Sequence, residues 1–332
     1  MSAIDPIPLV SFADLIVGLS LGSRLFLIAV GLSLIFGVLG VLNFAHGGLY
    51  MIGAYLTLLV VSIGSGNFWL GVVVAALGVG VLGVALEILT LRPLEGRLEN
   101  DTDQLLVTFG AVLIIHEGVR TIFGSQSYTL SPPTYLDYSI VLQSGQIGVY
   151  RLVVIGFALA VMLGLWLFIT RTYFGSLVRG TASDREMAGM LGVNVRRLYT
   201  GVFFLGSVLA GLGGALSAPL QSTSPALGDQ IIIDAFIVVV IGGLGSISGA
   251  FVGAMFIGLA QSLGPQFISS GSIAIPFLAM VLVLLFRPRG LFGVVAEWAL
   301  SRLFQIACAT LCLRSKRAGH PIGMGCCSLR SC

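Results

Sequence analysis

Long apolar runs separated by short polar punctuation occupy most of this chain from Leu25 to Phe286. They fall at Leu25–Leu42, Leu49–Ile63, Trp69–Leu91, Leu105–Phe123, Val149–Thr170, Leu198–Ser217, Ile231–Ile241, Ile247–Leu263 and Ile273–Phe286. A run of about 20 such residues crosses the hydrocarbon core of a bilayer as a helix. Only 9% of the residues are charged, far below the roughly 25% of ordinary soluble domains. The pattern predicts an all-α polytopic membrane protein with about eight or nine transmembrane helices. Glycine, at 45 residues, weakens soluble helices but lets helix backbones approach closely inside a membrane. The segment after Asp229 is broken by Gly242, Gly243, Gly245 and Gly249. It reads either as two full crossings or as a pair of half-helices around a glycine turn.

Charge and cysteine usage exclude several other classes. A net charge of +3, with no basic run before the tail, sets nucleic acid aside as a partner. All five cysteines lie between Cys308 and Cys332, so neither a disulfide framework nor a cysteine metal site is expected in the membrane body. Met1–Val10 carries Asp5 and no basic residue, unlike the n-region of a cleavable signal peptide, and the first apolar segment is expected to be retained. The chain divides into a transmembrane domain over 1–292 and an atypical Cys-containing tail over 293–332.

Arg and Lys set the expected orientation, because basic short loops stay in the cytoplasm. Before the tail, nine of the twelve basic residues fall in three loops: Arg92–Arg97, Arg171–Arg197, and Arg287 with Arg289. The other three, Arg24, Arg120 and Arg151, read as flanking membrane segments on the opposite side. With nine spans the N-terminus is outside and the C-terminus cytoplasmic. The loop around Ser131-Pro-Pro-Thr134, with Tyr128, Tyr135 and Tyr138, then lies outside, as a partner contact or as a connection anchored by interfacial tyrosines. Gly47-Gly48-x4-Gly53-Ala54 and Gly249-Ala250-x2-Gly253-Ala254 are weakly alike, as in an inverted repeat.

The most specific signal lies in the basic loop 171–197. In Arg179-Gly-Thr-Ala-Ser-Asp184-Arg185-Glu186-Met187-Ala188-Gly-Met-Leu191-Gly192-Val-Asn194, Ser183 or Asp184 can cap a short helix and Glu186 favours its N-terminal end. Gly192 can stop it. Read from the residues alone, this is a short helix at the membrane surface. Glu186-Met187-Ala188-x3-Gly192 also resembles the E-A-A-x3-G loop of ATP-binding-cassette importer permeases, with Met187 in the second position. Asn43-Phe-Ala-His46-Gly47, Leu191-Gly-Val-Asn194 and Gly242-Gly243-Leu-Gly245-Ser-Ile-x-Gly249 resemble the permeases of high-affinity branched-chain amino-acid importers. The likeness runs from about Leu15 to Phe292, and urea-type importers share much of it.

The resemblance implies a permease subunit working with a second related permease, cytoplasmic ATPase subunits and an external substrate-binding protein, all in or at a bacterial-type inner membrane. It makes Asp184, Glu186, Met187, Ala188 and Gly192 the residues that couple to the ATPase. No G-x4-G-K-[ST] phosphate loop occurs in the chain, so ATP is expected on the partner subunits, with no cofactor and no enzymatic activity here.

Candidate pathway residues are Asn43, His46, Gly47, Glu117, Gly242, Gly243 and Gly245. Asn43–Gly48 reads as a polar break lining the pathway or as a plain turn between spans. Glu117, inside an apolar run, must be paired or wet, and Arg120 one turn away offers a partner. Glu87 reads as structural, reaching the interface from the end of its span. Asp229 and Asp234 read as caps of the helix that follows, or as groups facing an amino group at the outer mouth. His320, Cys326 and Cys327 are too weak a set to predict a metal. The expected activity is ATP-driven import of branched-chain or related amino acids. The alternatives are a urea or other small-solute permease and a stand-alone secondary transporter, which needs carboxylates in its core.

Overall fold

In a computed structural model of the chain, residues 11–63, 66–94, 101–142, 145–267, 274–288 and 290–292 are described. The tail over 293–332, Asp5, Arg97 and Arg289 lie outside them, as do the expectations placed there. The elements in order are α1 (Phe12–Leu39), α2 (Ala45–Ile63), α3 (Phe68–Leu86), a π-helical segment (Glu87–Leu91), α4 (Arg92–Leu94) and α5 (Asp101–Phe123). A hairpin of β1 (Ser139–Leu142) and β2 (Gly145–Gly148) follows, then α6 (Val149–Arg171), α7 (Tyr173–Ser183), α8 (Arg185–Met190) and α9 (Val195–Ser217). The last are α10 (Leu227–Gly242), α11 (Ile247–Phe267) and α12 (Ile275–Phe286). Among the described residues seven helices are long and apolar enough to cross a membrane. With α10 and α12, which are shorter, they account for the apolar runs of the sequence. The chain is an all-α polytopic integral membrane protein.

Helix α1 starts well before the expected Leu25. Ser11 and Asp14 form a capping box: the Ser11 hydroxyl accepts from Ala13 N at 3.3 Å, and Asp14 Oδ2 accepts from Ser11 N at 3.1 Å. Each satisfies an N–H left without a partner at the helix start. Asp14 also ties this end to α11, because Gln266 Nε2 donates to Asp14 Oδ2 at 2.8 Å and Ser262 Oγ donates to Asp14 O at 2.8 Å. At the other end Gly40 takes a left-handed φ of 74°. The boundary expected at Arg24 is therefore corrected: the arginine lies inside the helix and is buried.

The core sits along α1, α2 and α9. Phe26–Val30 of α1 are fully buried, and the packing depends on backbone contact at glycines. A Cβ on Gly31 would meet Gly206 O at 2.6 Å, and one on Gly22 would meet Ala254 O at 2.7 Å. Small residues at such crossings bring the attractive contacts of two helices into range where water drives nothing. Around this centre α3, α5, α6 and α12 turn large apolar side chains outward, among them Leu77, Ile114, Leu163 and Leu285.

The glycine-broken segment resolves into a full-length α11 and a shorter α10, whose 16 residues extend about 24 Å. They are joined through Gly243 and Gly245 at φ 101° and 81°. Helix α10 begins at Leu227, ahead of the expected Ile231, and no side chain caps it. That corrects the capping role expected of Asp229 and Asp234: Asp229 lies within the first turn, and Asp234 accepts from Gln261 Nε2 of α11 at 3.1 Å. The loop between α5 and α6 contains the β1–β2 hairpin, with Ile140 paired to Ile147. Tyr128 and Thr223 exchange backbone hydrogen bonds of 2.9 and 2.8 Å.

Candidate functional site

The basic loop folds as the local signals require. Thr172 caps α7 by accepting from Gly175 N at 3.1 Å, and Asp184 ends α7 and caps α8, accepting from Met187 N at 2.9 Å. Glu186 sits exposed in the first turn, at the positive end of the helix. Gly192 has φ 85°, donates to Gly189 O at 3.0 Å and reverses the chain, so that Val193 N donates to Ala188 O at 3.1 Å. Asn194 then caps α9 through Arg197 N at 3.1 Å.

Of α8 only Ala188 is buried. Met187 is 52% exposed, Met190 77% and Leu191 78%, an apolar ridge on a loop otherwise rich in arginine. Beside it lies a cavity of about 320 Å³ lined by Tyr173, Phe174, Leu177, Gly192, Val193 and Asn194, among others. Arg185 stacks over the Tyr199 ring at 4.9 Å, and Arg179 Nη1 donates to Ile169 O. These contacts fix α7 and α8 to the ends of α6 and α9. Helix α8 is thereby linked to two membrane helices.

The candidate pathway residues divide into two groups. Asn43, His46 and Gly47 are buried at the start of α2, where Asn43 Oδ1 accepts from Ala45 N at 3.0 Å. His46 packs on Gly31, where a Cβ would come within 2.8 Å of Nε2. Gly31 lies two turns before the end of α1, so the chain after Gly40 folds back along the bundle before α2 begins. Gly47 lies against Gly228 O and Ile232 of α10. Helix α10 ends at Gly242, packed on Gly249, and Gly245 lies against Gly37 of α1.

Glu117 is not among this group. It is exposed on α5 and faces Arg120 Nη1 at 3.5 Å. Its neighbour His116 approaches Asp229 at 3.9 Å. The carboxylate singled out as a core candidate is thus the structural pair that its spacing allowed.

Two charged groups are buried more deeply than the sequence reading placed them. Glu87 is structural, as read, but at only 4% exposed it is held inside the bundle. It opens the π-helical segment and accepts from Thr200 Oγ1 of α9 at 3.0 Å. Beyond it, Arg92, Arg196, Arg197 and Thr200 edge a cavity of about 490 Å³ walled by Val84, Ile88 and Phe204. Arg24 is 8% exposed, and its Nη1 donates to Gln221 Oε1 at 2.9 Å. The available signal was its place in an otherwise unbroken helix-forming stretch from Phe12 to Leu39, where a charge marks function more often than a boundary.

Comparison with known proteins places the whole membrane body. A family model described as a branched-chain amino acid transport system permease component matches residues 15–286. The chain is similar to the high-affinity branched-chain amino acid transport system permease protein BraD of Pseudomonas aeruginosa. That similarity is 31% identity over 294 residues, covering 84% of this chain and 95% of the relative. It is 30% identical to the corresponding protein LivH of Escherichia coli strain K12 over 290 residues, covering 83% of this chain and 93% of the relative. A probable branched-chain amino acid transport permease protein LivH of Methanocaldococcus jannaschii is 30% identical over 293 residues, covering 82% and 89%. No solved structure matches the chain.

Proposed function

The chain belongs to the family of permease components of branched-chain amino acid transport systems, and from that premise we propose that it is the membrane subunit of an ATP-driven importer of branched-chain or related amino acids. It works beside a second permease in the inner membrane, receives substrate from an external binding protein, and takes its energy from cytoplasmic ATPase subunits. The observation that carries the reading is α8. A six-residue helix capped at both ends, with its apolar ridge exposed and its ends tied to α6 and α9, is suited to insertion in a groove of a partner. Flexible Met187 and Met190 side chains fit an apolar groove. Closure of the ATPase subunits on nucleotide then moves α6 and α9 together and switches access to the pathway around α2 and α10.

The energy source is tested with purified components. The chain alone is expected to show no ATPase activity, and proteoliposomes holding it with its partner subunits are expected to accumulate leucine only with ATP. Ion-gradient-driven uptake by the chain alone, without ATP or partners, overturns the reading in favour of a secondary transporter.

Orientation follows from the basic loops, which place α8 in the cytoplasm and the loop between α5 and α6 outside. In cells, a membrane-impermeant maleimide is expected to label Ser131→Cys and to spare Ser183→Cys. Both positions are exposed, so the contrast reads sidedness and not burial. Labelling at 183 with protection at 131 reverses the topology.

A further inference from the structure

Among the described residues Arg24 is the cation that the fold buries most deeply without matching it. Two close acid–base contacts form there, His116 with Asp229 and Glu117 with Arg120, and Arg24 belongs to neither. Its guanidinium carries five N–H donors. One hydrogen bond leads to Gln221 Oε1, and Nε is buried with no partner. A buried charge left in this state is costly, and in a membrane an arginine of this kind marks a ligand or an ion.

Other donors converge on it from three parts of the bundle. Tyr50 of α2 and Tyr150 of α6 lie within electrostatic range of the guanidinium, as does a second cation, Arg151. The Tyr50 hydroxyl lies beside Ser217 and Gln221 yet is buried without a hydrogen bond of ordinary geometry, and Gln221 Nε2 is in the same state. Tyr150 is satisfied, donating to Leu216 O at 2.8 Å. The cluster therefore offers two positive charges, with unmatched N–H and O–H groups around one of them.

We propose that Arg24, with Tyr50 and Gln221, forms the intramembrane subsite that receives the α-carboxylate of the transported amino acid. A planar guanidinium binds a carboxylate through two parallel hydrogen bonds, and the ligand then supplies the acceptors that the fold withholds. In the conformation described the site is closed over its own donors. Opening of α1 against the turn after α9 exposes it, which gives the substrate itself a differential affinity for the open state. This subsite rests on the importer reading for its cargo, and the two are tested separately.

The test uses the assembled importer and two measurements, radiolabelled leucine binding and ATP-driven leucine uptake, with leucinamide as the competitor that lacks the carboxylate. For the wild type, leucine is expected to bind and leucinamide to compete at least about tenfold more weakly, in line with the cost of losing a buried charged partner. Arg24→Gln is expected to lower leucine binding about tenfold or more, and Arg24→Lys to recover part of it. Both are expected to keep the wild-type melting temperature and ATPase co-purification. Arg24-dependent binding in a wild-type assembly that shows no ATP-driven uptake keeps the subsite and overturns the importer reading. ATP-driven uptake at the wild-type rate in Arg24→Gln or Arg24→Leu keeps the importer reading and overturns the subsite. The leucinamide comparison needs no variant: equal competition by leucinamide, no leucine binding, or a cargo without a carboxylate such as urea overturns the subsite whether or not the variants fold.

Discussion

Gly53→Leu is expected to leave almost no folded protein in the membrane. A Cβ at Gly53 would lie 2.6 Å from Gly211 O and 2.8 Å from Gly211 Cα. The obstacle is the backbone of α9, so no side-chain rotation relieves it. Helix α9 has little room to retreat, because a Cβ on its own Gly211 would meet Ala75 O of α3 at 3.0 Å, and Gly206 packs on Ile35 of α1. Overpacking a core that can adjust costs about 1–3 kcal/mol. Here a whole helix must move and give up its contacts on three sides, so the loss is larger. The check is the yield of monodisperse protein in detergent and its melting temperature. Gly156→Leu on α6, where a Cβ meets nothing within 4 Å, is expected to match the wild type. If Gly53→Leu elutes and melts like Gly156→Leu, close glycine contact does not hold the bundle together.

The same distinction explains what could be read in the sequence. Helices α6 and α9 were legible nearly to the residue: the runs Val149–Thr170 and Leu198–Ser217 became Val149–Arg171 and Val195–Ser217. Apolar composition over a bilayer's thickness is a local property. The turns around α8 were legible for the same reason, since Asp184 and Gly192 act on backbone groups within a few residues of themselves.

What the sequence hid depends on distant contacts. Arg24 stopped the first apolar run because its partner, Gln221, is 197 residues away, and the first half of α1 was lost with it. Glu87 appeared to reach the interface because Thr200, 113 residues away, gives no local sign of its proximity. The π-helical turn over Glu87–Leu91 changes hydrogen-bond register without changing composition. Asp229 illustrates the opposite error. A carboxylate ahead of an apolar run reads as a cap, but the helix had already begun at Leu227.

Glu186→Lys and Gly192→Val are expected to fold and insert normally yet to lower ATP-driven uptake by at least about tenfold, with poorer recovery of the ATPase in pull-downs. The two variants damage α8 in different ways. Lysine at position 186 places a like charge in the first turn, an effect of about 0.3–1 kcal/mol on an exposed helix, too small to unfold the bundle. It also reverses the charge that a docking partner meets beside the Met187–Leu191 ridge. Valine at position 192 must take a φ of 85°, where a β-branched side chain meets the following carbonyl at a cost of about 1–2 kcal/mol. The turn then opens, and Asn194 is displaced from the cap of α9. Nothing lies within 4 Å of a Cβ at Gly192, so the defect is conformational and not steric crowding. Asparagine tolerates the left-handed region, and Gly192→Asn is accordingly expected to transport better than Gly192→Val. Ser131→Ala, in the loop between α5 and α6, is expected to leave ATPase association intact. Wild-type uptake and full ATPase recovery in both Glu186→Lys and Gly192→Val would show that α8 transmits no force, because a coupling element cannot lose its charge and its exit turn and still drive α6 and α9 together.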